Sequence, residues 1–129
     1  MLRMPLSKLA EGAHWLYEYD HGIVANLDPP GTLAELQQAA HERKKGYHKH
    51  HIVEKDSAEK DGFSREVINS PDNLARVPAM KHREITGWYQ TKNKEFGGQS
   101  PRDYLRGRSW EVRRRVGLEA MIRFGVLKP

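Results

Sequence analysis

Apolar positions in this chain come in short clusters whose spacing changes along its length. Leu33, Leu36, Ala39 and Ala40 recur at intervals of three and four, which places them on one helical stripe. Thr32 precedes them as an N-cap, with Glu35 three residues on as its capping-box partner, and Asp28-Pro29-Pro30-Gly31 breaks the chain beforehand. The expected helix runs from Leu33 to about Lys44. It ends in His41-Glu42-Arg43-Lys44-Lys45, where cations suit the helix dipole, with Gly46 as the stop. Tyr47 to Glu54 contains Tyr, Ile and Val and reads as a short strand. Lys55 to Gly62 is charged and turn-rich, a loop by composition, and Phe63 to Ile68 is a short turn or helix. Ser70-Pro71-Asp72-Asn73 is turn chemistry. Leu74 to Val77 reads as a second short strand stopped by Pro78, and Ala79 to Tyr89 as a helix with Met80, Ile85 and Trp88 or Tyr89 facing inward.

The flanks follow the same logic. Residues 1–28 read as an irregular lead whose cluster at Trp15, Leu16, Tyr17 and Tyr19, with the run Ile23-Val24-Ala25, covers one face of the core; His14 and His21 have no ligand-like spacing. Ser100 caps a short helix with Pro101 at its first position, Arg106-Gly107-Arg108 is a turn, and Ser109 or Trp110 opens the last helix. Val112, Val116, Leu118, Met121 and Ile122 form that helix's apolar set, Gly125 ends it, and Arg113-Arg114-Arg115 is either a solvated face or a substrate contact. The pattern predicts a single α+β domain: a lead over 1–30, a helix over 31–46, a core over 47–90 and a helical segment over 100–129.

A chain of 129 residues with 37% hydrophobic and 30% charged residues is long enough for one modest core. The net charge of +5 suits a polyanionic partner. The absence of cysteine excludes disulfides, thiolate zinc sites and a Cys nucleophile, so any metal must be held by His, carboxylate, amide oxygen or water. No apolar run is long enough for a transmembrane helix, and the N-terminus lacks the apolar core of a signal peptide.

Chemistry concentrates in Tyr47-His48-Lys49-His50-His51-Ile52-Val53-Glu54 and in the run from Asn73 to His82. A strand–loop–strand–helix order can bring histidines from the first strand and from the helix into one cleft. His50-His51-Ile52-Val53, then Asn73-Leu74, then His82 nine residues beyond Asn73, resembles the His-Asn-His (HNH, ββα-metal) endonucleases. The likeness covers roughly residues 47–90. The flanks resemble the C-terminal nuclease domains of bacterial polymorphic toxins: Gly46-Tyr47 opens the His-His-Ile-Val-Glu stretch, and a tail with Arg102-Asp103-Tyr104-Leu105-Arg106-Gly107-Arg108-Ser109-Trp110 precedes Gly117-Leu118 and Gly125-Val126-Leu127-Lys128-Pro129.

The resemblance implies a role for each matched residue. His50 and His82 would be metal ligands, His51 the general base that takes a proton from the attacking water, and Asn73 a brace that orients His51. The chemistry is coherent: an imidazole with an ordinary pKa of about 6.5 accepts a proton near neutrality, and a divalent ion with open positions relieves charge on the phosphate and the leaving oxygen. The chain departs from the family in two ways. The position one helical turn past His82 is Thr86, a poor ligand, and a structural zinc on Cys pairs is impossible. The shell is therefore His50, His82 and water, or it includes His48 or Glu54. His48 and His50 share one side of a regular strand, so His48 is an alternative ligand. Mg²⁺ is the expected cellular ion, with Zn²⁺, Ni²⁺ or Mn²⁺ as substitutes.

Lys81 and Arg83 flank His82, and Arg106 and Arg108 sit in a glycine turn; these four are the candidate phosphate contacts. No helix offers a face for base-specific readout, so cutting should tolerate sequence. The resemblance thus implies a DNA endonuclease acting as the toxin of a secreted effector in the target-cell cytoplasm, without a signal peptide in this chain and without a membrane partner. It also implies a cognate immunity protein of acidic character. The competing readings are an RNA-cutting nuclease toxin and a non-catalytic nucleic-acid-binding module with a structural His-bound metal.

Overall fold

The computed structural model describes residues 20–129. Helices surround one two-stranded antiparallel sheet, an α+β arrangement. In chain order these are α1 (residues 20–26), α2 (Leu33–Ala39), β1 (Tyr47–His51), α3 (Lys55–Lys60), α4 (Arg65–Ile68), β2 (Leu74–Pro78), α5 (Ala79–Gln90), α6 (Pro101–Tyr104) and α7 (Trp110–Arg123). The cluster at Trp15, Leu16, Tyr17 and Tyr19, and His14 with it, lies outside the described residues. Among the described residues, no helix is long and apolar enough to cross a membrane.

The sheet is the short hairpin that the two apolar runs predict, in a register that pairs His48 with Val77, His50 with Ala75 and His51 with Leu74. Ala75 and Val77 are fully buried and, being opposite His48 and His50, fix the face those histidines share. That face looks toward α5, whose Ile85 and Tyr89 join Ala75, Val77 and Ile52 in the main core with Val116, Ala120 and Met121 of α7. A smaller cluster of Val53, Ala58 and Ile68 seats α3 and α4 beside the strand exit. The chain end is tied back to the start of α2, where Gly31 N–H donates to Val126 O at 3.0 Å and Lys128 N–H to Gly31 O at 2.9 Å.

Local cap chemistry sets several boundaries. Thr32 accepts from Glu35 N–H at 3.2 Å as the expected N-cap, while the Glu35 carboxylate takes the Thr32 hydroxyl at 2.9 Å rather than the backbone N–H that a capping box would use. Ser100 caps α6 with Pro101 in its first turn, and Ser109 caps α7. Four expectations need correcting. Residues 20–26, read as irregular lead, are helical. The segment read as a charged loop contains α3, a helix whose only buried residue is Ala58 and which therefore carries little periodic signal. β1 ends at His51 rather than Glu54. Lastly, α2 stops at Ala39 rather than near Lys44. The reason for the early stop is tertiary. The chain must turn into β1 beside α1, and Gly46 does this at φ 88°, where a Cβ would stand 2.4 Å from the His21 carbonyl oxygen. The basic run from His41 to Lys45 is consequently unwound.

Neither reading of Arg113-Arg114-Arg115 holds for Arg113. Its side chain is only 2% exposed; its guanidinium binds the Asp61 carboxylate and donates to the Ser57 hydroxyl at 3.3 Å and to Arg108 O at 3.0 Å. It is a buried tie between α3, the turn before α7 and α7 itself. Arg114 reaches Asp72, and Arg115 is exposed.

Helix α7 approaches the strand exit with no side chain in between. A Cβ on Gly117 would lie 2.1 Å from the Ile52 carbonyl oxygen, which is backbone and cannot give way cheaply. An interior helical Gly→Ala normally stabilises by about 1 kcal/mol. Here overpacking of roughly 1–3 kcal/mol should reverse the sign. Gly117→Ala is expected to lower the urea midpoint; a raised midpoint would mean that α7 does not press on Ile52.

Candidate functional site

The hairpin followed by α5 brings His48, His50 and His82 together. The His48 and His82 rings meet edge to face with centroids 5.0 Å apart, and His50 and His82 do so at 5.2 Å. The Nδ1 atoms of His48 and His82 are 2.8 Å apart. Two lone pairs at that distance repel, so one nitrogen carries a proton or both face a shared cation. His50 is 4% exposed, and its Nε2 is buried without a hydrogen-bond partner. A buried orphan of this kind is costly and calls for an explanation. Among the described residues, no three His, Asp or Glu groups form a ready-made metal cage. The donors nevertheless fit a divalent ion chemically: the His48 and His50 rings each pack against the His82 ring, His50 has an unmet nitrogen, and His48 and His82 have nitrogens crowded onto one proton.

Electrostatics keeps these rings neutral. Burial, then His82 and His51, pushes the His50 pKa down to about 3. Burial, then His48 and His51, lowers that of His82, and burial followed by the Arg83 charge lowers that of His48. Neutral imidazole is the form that ligates metals.

His51 lies at the end of β1, and its Nε2 is 2.8 Å from Asn69 Oδ1. An amide oxygen can only accept, so Nε2 carries a proton and, in the neutral ring, Nδ1 is the nitrogen with the lone pair. Asn69 is therefore the residue that orients His51. Sequence reasoning assigned that task to Asn73, and the geometry does not support it. The Asn73 Oδ1 accepts from Val53 N–H at 2.8 Å, and its Nδ2 donates to Val53 O at 3.2 Å and Ile68 O at 2.9 Å. Asn73 braces the strand exit and makes no contact with the His51 ring. Sequence reasoning did not single out Asn69; it precedes the Ser70–Asn73 turn, and the interval to His82 drew attention to Asn73 instead.

Glu54, an alternative ligand, is held elsewhere in a two-pronged pair with Arg102, at 2.6 and 3.0 Å. Thr86 donates its hydroxyl to His82 O at 3.0 Å, one turn back on α5. The candidate phosphate contacts divide. Arg83 is exposed and close enough to His48 to shift it. Lys81 borders a small pocket that also holds Asp28 and Glu35. Arg106 pairs with Asp103 at 3.1 Å and lines a cleft bordered by Glu54, Asp56 and Asp61. Arg108 lies over the Tyr104 ring at 4.6 Å and donates to Tyr104 O. Arg106 and Arg108 are thus already engaged, the former among carboxylates that disfavour phosphate.

Two outcomes follow. Asn73→Ala should cost about 2–4 kcal/mol, because it leaves Val53 N–H and buried carbonyls unmatched; a denaturation midpoint equal to wild type would remove Asn73 as a brace. The second concerns pH. His50 is lowered on folding, so the unfolded chain binds the extra proton between the ordinary value of 6.5 and about 3. Its contribution is therefore complete above pH 6.5 and is lost as pH falls through that window, at about 1.4 kcal/mol per unit. Melts in EDTA from pH 7.5 to 4.5 should show a steeper loss for wild type than for His50→Gln; parallel slopes would mean that His50 takes up no proton on unfolding.

The chain matches no protein-family model, and no curated protein or solved structure matches it significantly, so the reading of the site stands on the geometry of these residues.

Proposed function

We propose that the chain is a metal-dependent endonuclease of the HNH, ββα-metal type, hydrolysing DNA with little sequence preference. The observation that carries this reading is the convergence of His48 and His50 from one strand with His82 from the following helix, beside His51 with a free Nδ1 lone pair. The ligand set is His50 and His82, with His48 as the third imidazole in the place where Thr86 fails. A bound divalent ion supplies charge relief at the phosphate and the leaving oxygen. His51 Nδ1 accepts the proton of the attacking water, and Asn69 holds the ring in the tautomer that leaves this atom free. Arg83 adds positive charge beside the cluster.

Such an activity harms the cell that makes it. In the toxin reading, the domain belongs to a secreted effector that acts in the target-cell cytoplasm and is held inactive by an acidic immunity protein. The charge of +5 supports an acidic partner.

Supercoiled plasmid is the direct test, with Mg²⁺, Mn²⁺, Ni²⁺ and Zn²⁺ supplied in turn and EDTA as the blank. Nicking that EDTA abolishes is expected, and His51→Ala should reduce it by about 10²- to 10⁴-fold with an unchanged melting temperature. Plasmid left intact with all four ions would sink the enzyme and leave a binding module with a structural metal. Total RNA degraded in preference to plasmid would move the substrate from DNA to RNA.

A further inference from the structure

The unwound run after α2 leaves a cleft of about 810 Å³ between residues 40–45 and the hairpin. Among the described residues, Arg43, Lys44, Lys45, Lys49 and Arg76 line it against a single carboxylate, that of Glu42. His48 and His82 line it too, so this basic groove opens onto the histidine cluster.

A second observation points the same way. Lys49 and Arg76 stand directly opposite each other in the sheet register. Like charges at such a pair destabilise a sheet. Among the described residues, no carboxylate forms an ion pair with Lys49, Arg76 or Arg43. Arg76 instead lies over the Tyr47 ring at 4.9 Å, and Lys44 over the same ring at 5.2 Å. The Tyr47 hydroxyl is bonded to the Asp28 carboxylate, which pins that ring. The fold thus orders Lys44 and Arg76 around a fixed aromatic platform, and among the described residues Arg76 has no carboxylate in ion-pair contact. Among the described residues, Tyr47 is the only aromatic side chain besides the histidines along the groove, and its ring is taken up by Lys44 and Arg76, so it is poorly placed to stack a base.

We propose that this groove, rather than the Arg106–Arg108 turn, seats the sugar–phosphate backbone of a nucleic-acid strand and leads it to the histidine cluster. Arg43, Lys44, Lys49 and Arg76 are the phosphate contacts. The proposal rests on the nuclease reading for its destination and on the groove's own charge for its ligand. Backbone contact without base stacking gives binding that is indifferent to sequence and steep in salt.

The test is fluorescence anisotropy of a fluorescein-labelled 20-mer of mixed sequence, in EDTA, so that binding is read without cutting. Lys44→Glu with Lys49→Glu should weaken binding at least tenfold. Lys44→Gln with Lys49→Gln should reduce the slope of log affinity against log salt by about 1.4 to 1.8. Lys44→Arg with Lys49→Arg should bind as wild type. Arg65→Glu with Lys92→Glu, an equal charge change on exposed positions outside the groove, should stay within about twofold. The assignment fails if the Lys44/Lys49 variants bind as tightly as wild type, or if Arg106→Glu with Arg108→Glu costs more than Lys44→Glu with Lys49→Glu. It also fails if polyglutamate of matched charge binds as tightly as the oligonucleotide, which would make the groove a protein-docking surface. Groove-dependent binding with no cutting under any ion would spare the groove and remove the nuclease; cutting that ignores the groove variants would do the reverse.

Discussion

One buried amide holds the histidine cluster in place. β1 ends at His51, and beyond it the backbone of Ile52 and Val53 must leave the sheet without exposing unpaired N–H and C=O groups to the core. Asn73 resolves this. Its backbone carbonyl accepts from Ile52 N–H at 2.9 Å, and its side chain takes over as a surrogate strand for Val53. The same amide reaches Ile68 O at 2.9 Å and so fastens α4 to the strand exit. On the other side, the missing side chain of Gly117 lets α7 close on Ile52. Ile52 and Val53 are clamped between an amide and a helix, and the imidazoles two and one residues upstream of Ile52 inherit that fixed position.

Two kinds of cation are separated by this frame. The half-buried Arg102 and the buried Arg113 pair with Glu54 and Asp61, joining α3 to α6 and α7. Among the described residues, Arg43, Lys49 and Arg76 beside the hairpin have no such carboxylate partner. An ion pair whose members satisfy each other has little left to offer a ligand, whereas Lys49 and Arg76, facing each other across the sheet, keep their field in the groove. The basic balance of the chain is therefore distributed by its fold, and counting Lys and Arg along the sequence does not reveal which ones remain available.

The division explains what could be read in advance. The hairpin, α5, and the caps at Thr32, Ser100 and Ser109 were legible because each depends on residues within a few positions of one another. The convergence of His50 and His82 was legible because a hairpin followed by a helix leaves few other arrangements. What was not legible depends on distant contacts. The end of α2 is set by the His21 carbonyl against Gly46, the burial of Arg113 by Asp61, and the roles of Asn69 and Asn73 by which one lies under Val53. Asn69 ends α4 and Asn73 closes the turn after it, and only the tertiary position of the strand exit assigns one to His51 and the other to the backbone.

The same geometry bears on the choice of ion. With Glu54 bound to Arg102, the donors gathered by the hairpin and α5 are imidazoles alone. Burial and neighbouring positive charge lower their proton affinity, so lone pairs are free at neutral pH, yet among the described residues no carboxylate joins them to offer the anionic oxygen that Mg²⁺ prefers. Neutral nitrogen donors favour the later transition ions by the ordinary affinity order. Positive charge at Arg83 and along the groove raises the cost of any cation that arrives without its anionic ligand. On the proposed reading, ion and phosphate would therefore be expected to bind cooperatively, each neutralising what opposes the other, and Mg²⁺, the expected cellular ion, would be the poorest match to this set of donors.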